Sequence, residues 1–510
     1  MAKICLSLGI FVITILLFIS PDSYIHDLYG HVDSSIFFIY GKAWMNGMIP
    51  YTDFTEPKGP LLFLIYGLGY LLSNYDCIGV FWISCLFYMG VYYYTFKLAG
   101  IFKNDRRWQF FIAIAMSIAW FNPLVHYEIK TEDFAQFFFV VTFYYTCLLL
   151  YANERGKLVL ASSLFGISFG ALFMLKFNLA AMIAVLGMYI LFYAWREKRF
   201  SISLTYMFFG GMIVVLPFLV YFLVYGNGLG TFISEYFGTV FALMGATGPQ
   251  APLYSRMVSY IMRPAPLIIL VFTLAGVIGF SRKLKRYQYF PLVSFLYFYI
   301  IASIYGLSFY YYSTCAMFCI FLIIWLSELC PVGLWQSRGT NAFACICIAM
   351  VVCVVNLTRS FITPGLQTLF FQENNLRRDF YTYAYLMSQV DKPTWFAYCY
   401  PNGQDMPSGA LPGSKTIGVL PGETNEMAAF RKEIIRNKKI DFISVDKSKV
   451  DIINELELLG YYRYQTETSP NLLFSKYKLQ LPPSSFRVSS IDVLLKRNIR
   501  EIKLKNSNIQ

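Results

Sequence analysis

The chain has 510 residues, of which 57% are hydrophobic and 14% charged, with a formal net charge of +13. Soluble domains run at roughly 45 to 50% apolar and about 25% charged, so a soluble single-core fold is excluded. In a membrane protein an excess of Lys and Arg is first the content of cytoplasmic loops, which leaves nucleic acid without support as a partner.

The first apolar run, Ile4 to Ile19, has no small-residue cleavage site before Pro21 and is followed by many more runs. It reads as an uncleaved first helix rather than a signal peptide. Further runs long enough to cross a roughly 30 Å hydrocarbon core are predicted at 77–101, 109–126, 134–151, 158–175, 178–194, 202–225, 265–281, 288–306, 312–329 and 341–357. With the first helix they make about eleven transmembrane helices. The stretch Leu61 to Leu72 is short and broken by Gly67 and Gly69, and reads as an interfacial or re-entrant helix at the outer surface.

Loop charge sets the expected orientation. With a cytoplasmic N-terminus, the inner segments hold Lys3, Lys103, Arg106, Arg107, Arg155, Lys157, Arg196, Lys198, Arg199, Arg282, Lys283, Lys285, Arg286 and Arg338. The outer ones, including the long loops 21–58 and 227–264, hold only Lys42, Lys58, Lys130, Lys176, Arg256 and Arg263. That asymmetry predicts a multi-pass inner (plasma) membrane protein with its N-terminus inside. An odd number of spans then puts the C-terminus outside.

Past about Arg359 the charge density becomes that of a soluble domain and no run reaches spanning length. The chain thus divides into a membrane region, 1–357, and an extracytoplasmic α/β domain, 358–510. Within the latter the pattern predicts helices at 375–390, 425–437 and 450–459. Strands are predicted at 395–400, 416–420 and 441–445, with 461–465 and 472–478 as a strand pair. The fold class is a polytopic α-helical membrane protein with a C-terminal soluble α/β domain. The cysteines lie in or beside apolar spans except Cys399, so neither a disulfide framework nor a zinc knuckle is expected.

Span interiors are nearly free of charge, whereas acidic residues gather at the outer face: Asp22, Asp27, Asp33, Asp53 and Glu56 in the first outer loop, with His26, His31 and Lys58, and then His126-Tyr-Glu-Ile-Lys-Thr-Glu-Asp133. An ion-coupled transporter needs ionisable groups near the midplane, and none is evident. Asp33 or Ser34 has the character of a helix cap, the plain alternative to a catalytic role for Asp33. With no i, i+4 pairing among the three histidines, a metal site is not expected. Lys42, in the helix that follows Asp33, is expected to be solvated.

An acidic residue after the first helix, then Gly47-Met-Ile-Pro-Tyr-Thr-Asp-Phe54, then Lys58-Gly-Pro-Leu61 before an apolar helix, resembles the GT-C glycosyltransferases that use polyprenyl-phosphate sugars. That group contains protein O-mannosyltransferases and the lipid A aminoarabinose transferase, and the likeness is to its bacterial branch. The resemblance covers residues 31–61 in motif and the membrane region in layout. Two departures stand out: Ser34 rather than Glu follows the first acidic residue, and the second acidic site offers two carboxylates in a row.

The resemblance implies an inverting transferase that moves a sugar from a polyprenyl-phosphate donor to an envelope lipid, glycan or protein acceptor on the extracytoplasmic face. Asp33 is then the carboxylate nearest the acceptor hydroxyl, with Glu132 or Asp133 as the second acidic site. Lys58 contacts the carrier phosphate, and Arg263, at the outer end of a span, is a second candidate for it. Tyr51, Asp53 and Glu56 are candidates for binding the sugar, and Tyr311 and Tyr312 for stacking against it. Such a reaction requires no cofactor and leaves a divalent metal open. The competing readings are a lipid-linked glycan flippase or transporter, and a glycan polymerase or ligase. The first would lack a large external domain, and the second usually depends on arginine-rich outer loops.

Overall fold

The structure is a computed structural model, and it describes residues 2–20, 22–23, 32–74, 76–121, 130–247, 264–282, 284, 286–305, 309–329, 375–398, 408–415, 425–465 and 471–482. The membrane region begins with α1 (Ala2–Ile19), α2 (Val32–Met45), α3 (Pro60–Leu72) and α4 (Ile78–Phe102). It continues with α5 (Arg106–Ala115), α6 (Ser117–Trp120), α7 (Thr131–Tyr151), α8 (Leu158–Leu175), α9 (Phe177–Arg196) and α10 (Phe200–Val224). Then come α11 (Leu229–Thr247), α12 (Pro264–Ser281), α13 (Phe290–Tyr305), a 3₁₀ segment at Phe309–Phe318 and α14 (Cys319–Leu329).

Among the described residues, α4, α7, α8 with the turn before it, α9 and α10 are long and apolar enough to cross a membrane; α1, α3 and parts of α12 to α14 form shorter apolar helices. The span expected at 109–126 is broken at Met116 into α5 and α6, and the one at 312–329 opens as a 3₁₀ segment. The span expected at 341–357 lies outside the described residues. The 13 residues of α3 reach only about 20 Å at 1.5 Å per residue, short of the roughly 30 Å core. Proline at its first turn suits a position whose N–H has no helical partner.

α8 and α10 cross backbone to backbone. A Cβ at Gly166 would lie 2.0 Å from the Met207 carbonyl oxygen, and one at Gly210 2.3 Å from that of Ser163. Only glycine permits this approach, the small-residue packing used where helices associate without a hydrophobic drive. The Ser162 and Ser203 hydroxyls hydrogen-bond across the same interface at 2.7 Å. The opposite face of α10 carries exposed Phe208, Phe209, Ile213, Leu216, Val220 and Leu223, as a lipid-facing surface requires.

The C-terminal domain is a mixed five-stranded sheet in the order β2-β1-β3-β5-β4. Its strands are β1 (Thr394–Tyr398), β2 (Leu411–Pro412), β3 (Phe442–Asp446), β4 (Tyr462–Tyr464) and β5 (Asn471–Ser475), and its helices α15 (Asn375–Ser388), α16 (Asn425–Arg436) and α17 (Val450–Leu458). β1 runs parallel to β2 and β3, while β5 is antiparallel to β3 and β4. Phe396, Ile443, Val445, Leu472 and Phe474 form its core with Ile453 and Leu456 of α17. The strand expected at 416–420 lies outside the described residues.

Candidate functional site

The loop between α2 and α3 is built as a locked turn. The Asp53 carboxylate accepts the Ile49 amide at 2.6 Å, and the Tyr51 amide donates to the Phe54 carbonyl at 2.6 Å. Tyr51 holds φ at +63°, a conformation that costs a non-glycine residue of order 1 kcal/mol or more. What holds it there is packing. Its ring is buried against Phe63, Phe222, Phe232 and Tyr236, and its hydroxyl donates to the Lys58 carbonyl at 2.5 Å. The Pro-Tyr-x-Asp-Phe motif is thus a device that aims the Lys-Gly-Pro element.

Gly59 completes the aim. Its amide donates to the Leu175 carbonyl at 2.8 Å, and a Cβ there would lie 2.0 Å from the Met174 carbonyl oxygen. The Lys58 backbone therefore lies against the C-terminal end of α8, whose next residue is Lys176. The Lys58 ammonium sits 3.4 Å from Glu56 and 5.4 Å from the centre of the Phe37 ring, a cation–π arrangement. Phe37 lies one turn from Asp33, which occupies the first turn of α2, so the two share a face of that helix.

From the other side, Glu132 in the first turn of α7 pairs with Lys176 at 2.9 Å, and both side chains are buried. Burial pushes the Glu56 carboxyl above its ordinary pKa; Lys58 opposes this and Asp33 adds to it, with Lys176 opposing more weakly. Asp33, Lys58 and Lys176 therefore each lie within electrostatic reach of Glu56, and the Gly59–Leu175 bond brings the residue after Lys58 against the one before Lys176. One buried ion pair, a second with its lysine half-buried and the half-buried Asp33 carboxylate thus gather where α2, α3, α7, α8 and α9 begin or end. Glu56 Oε2, Thr131 Oγ1 and Asn178 Oδ1 are buried beside these charged residues in sequence and make no hydrogen bond among the described residues. Such groups carry a cost of about 1 to 3 kcal/mol each when left unmet.

The remaining sequence candidates fall elsewhere or serve these. The Asp133 carboxylate accepts from the Tyr88 hydroxyl and, at 2.8 Å, from the Lys130 amide, capping α7; the Glu132 carboxylate is the one that meets Lys176. Tyr311 and Tyr312 lie in the 3₁₀ segment, their side chains outside the described residues, as are Arg263 and the three histidines in full. Among the described residues no group of three His, Cys, Asp or Glu side chains is gathered for a metal ion.

One expectation is corrected. Lys42 is not solvated: it is 1% exposed, and its ammonium donates to the Ser408 carbonyl of the C-terminal domain at 3.3 Å. The domain reaches down onto α2 and covers it there.

Sequence reasoning did not single out Lys176, Glu235 or Tyr236. Lys176 was legible as a lone cation between two apolar runs with no loop to spare, where the chain has to turn beside the outer acids. Glu235 and Tyr236 lie on α11, inside the loop expected at 227–264; the Phe232/Tyr236 spacing of four is the helical signal. The Tyr236 hydroxyl donates to the Phe173 carbonyl at 2.8 Å and accepts the Phe177 amide at 3.0 Å, bracketing Lys176.

Neither a protein-family model nor a curated protein matches the chain. Solved structures resemble it in fold, among them two of one protein. ArnT from Cupriavidus metallidurans bound to undecaprenyl phosphate superposes with a TM-score of 0.62 at 11% identity, covering 93% of this chain and 99% of that one. The same protein in its apo state gives 0.62 at 10% identity, covering 93% and 98%. The chain therefore has an ArnT-like fold: a polytopic helical membrane region followed by a small mixed-sheet domain.

Proposed function

We propose that the protein is an integral membrane glycosyltransferase that moves a sugar from a polyprenyl-phosphate donor to an envelope lipid, glycan or protein acceptor on the extracytoplasmic face. The observation that carries this reading is the meeting of Asp33, the Glu56–Lys58 pair and the Glu132–Lys176 pair at one end of the helical bundle. Support also comes from the fold shared with a protein whose structure contains undecaprenyl phosphate.

In this reading the Asp33 carboxylate accepts the proton of the acceptor hydroxyl as its oxygen attacks the anomeric carbon. The bond from that carbon to the phosphate oxygen breaks, and the electron pair leaves with the polyprenyl phosphate. Lys58 stabilises the charge that develops on the phosphate, with Lys176 as a second cation of the same cluster. Attack from the face opposite the leaving group inverts the anomeric centre. Glu132 holds Lys176 in place, while Tyr51 and Asp53 hold Lys58 rather than touch the sugar. Such a mechanism routes no step through a metal or cofactor.

The test incubates purified protein with polyprenyl-phosphate sugars and envelope lipids and follows transfer by mass spectrometry. Sugar transfer that is lost in Lys58→Ala and Asp33→Asn supports the reading. Failure of every donor with the folded parent protein, or full activity in both variants, overturns it.

A further inference from the structure

Thr55 is held by three distant parts of the chain, and all of its polar atoms are engaged. Its amide donates to the Lys415 carbonyl at 2.6 Å and its hydroxyl to Glu235 Oε2 at 3.0 Å, while its carbonyl accepts the Tyr40 hydroxyl at 3.1 Å. Glu235 Oε1 in turn meets the Lys415 ammonium at 3.3 Å. A second tether runs from the buried Lys42 to the Ser408 carbonyl. Both C-terminal partners lie in 408–415, the segment containing edge strand β2. That segment is fixed to the sheet by the Leu411 amide on Pro393 and the Gly413 amide on Trp395, at 3.0 and 2.8 Å.

We propose that segment 408–415 is a positioning strap for the donor site: the C-terminal domain reaches across to α2 and α11 and sets Thr55, and through it Glu56 and Lys58. Thr55 directly precedes Glu56, whose carboxylate holds the Lys58 ammonium at 3.4 Å. A shift at Thr55 therefore reaches the phosphate-binding cation through one intervening ion pair. The half-exposed Lys415–Glu235 pair contributes little energy by itself. Its effect is orientation, because Glu235 orders Lys415 and Thr55 together and their main-chain bond closes the contact. Lys415, Glu235 and Thr55 are positioning residues, acting through Lys58.

This proposal rests on the donor-binding role given to Lys58, so the test measures both. Full-length protein in lipid nanodiscs is titrated with undecaprenyl phosphate, comparing the parent with Lys58→Ala, Glu235→Ala, Lys415→Ala and the Lys58→Ala/Glu235→Ala double variant. Hydrogen–deuterium exchange of the peptide covering 49–58 is followed in parallel. Lys415→Ala removes only a half-exposed side chain, so it stands as the informative variant where Glu235→Ala fails to fold.

The expected result is a roughly threefold to tenfold weaker Kd in each strap variant and faster exchange in 49–58. In the double variant the loss should be no larger than in Lys58→Ala alone, because the strap acts through that lysine. Additive losses, or strap variants within about twofold of the parent while Lys58→Ala is weakened, overturn the strap and leave the donor site standing. Unchanged binding in Lys58→Ala removes the donor-site reading and the strap's role with it.

Discussion

Replacing Gly59 with alanine places one methyl group where the chain has no room. The new Cβ would stand 2.0 Å from the Met174 carbonyl oxygen and 2.4 Å from its carbon, and both are backbone atoms that no rotamer change can clear. Relief requires the loop to move off α8 by more than an ångström, since non-bonded carbon and oxygen rest near 3.3 Å or beyond. That movement breaks the 2.8 Å bond from the Gly59 amide to Leu175, about 0.5 to 1.5 kcal/mol, and adds the strain of overpacking, typically 1 to 3 kcal/mol. A loss of about 2 to 4 kcal/mol is expected, together with weaker binding of undecaprenyl phosphate as Lys58 leaves its place. Gly156→Ala is the matched control, because nothing lies within 4 Å of its Cβ position. Thermal melting in detergent and lipid titration read both effects. A Gly59→Ala protein that melts and binds like Gly156→Ala would refute the close approach and the positioning argument built on it.

Asp33→Asn keeps a capping oxygen and removes the base, so folding is expected to survive while turnover falls by roughly 10²- to 10⁴-fold; near-parental turnover would leave Asp33 as a cap alone. Lys176→Met strands the buried Glu132 carboxylate and is expected to cost about 3 to 5 kcal/mol, most of it recovered by adding Glu132→Gln; thermal melting that shows no recovery would break the pairing argument. In the C-terminal domain, burial pushes the Asp441 carboxyl up, but Lys476 at 2.7 Å and the Thr394 amide and hydroxyl at 2.8 Å outweigh it and hold it below the usual range. A depressed folded pKa contributes stability above the unfolded value of about 4 and loses it as pH falls through the folded value. Asp441→Asn is therefore expected to be less protected than the parent in β1 and β3 near neutral pH, with the gap closing on acidification; a gap independent of pH in hydrogen exchange would contradict the linkage. Reporter fusions are expected to place the N-terminus inside and the C-terminus outside, and a C-terminal fusion active only in the cytoplasm would overturn the orientation.

The helices of the membrane region were legible because unbroken apolar length is a strong signal, and α4, α7, α8, α9 and α10 match their expected limits to within a few residues. The break at Met116 was not, since a helix can change course without any residue that announces it. In the tail, alternation located β1 and β3 and the β4–β5 pair, whereas the sheet order depends on long-range pairing that no local window contains. At the candidate site the resemblance of the Lys-Gly-Pro element to the family motif pointed to Lys58. It could not reveal that Tyr51 turns inward to the Lys58 carbonyl, because a loop tyrosine is equally suited to stacking on a sugar. The motif set Lys58 apart from Lys42, but the burial of Lys42 beneath Ser408, more than three hundred residues on, is a long-range contact that no local window contains.

The glycine-lined crossing of α8 and α10 has a mechanical consequence. At Gly166 and Gly210 the two backbones touch with no side chain between them to shear, so α8 and α10 are expected to move together, one flank of α10 in lipid and α8 ending next to Lys176. A bilayer thicker or thinner than the apolar length of α10 is accommodated by tilting that helix. A tilt that α8 shares is expected to bear on the Met174 and Leu175 carbonyls against which Gly59 rests, and so on the placement of Lys58.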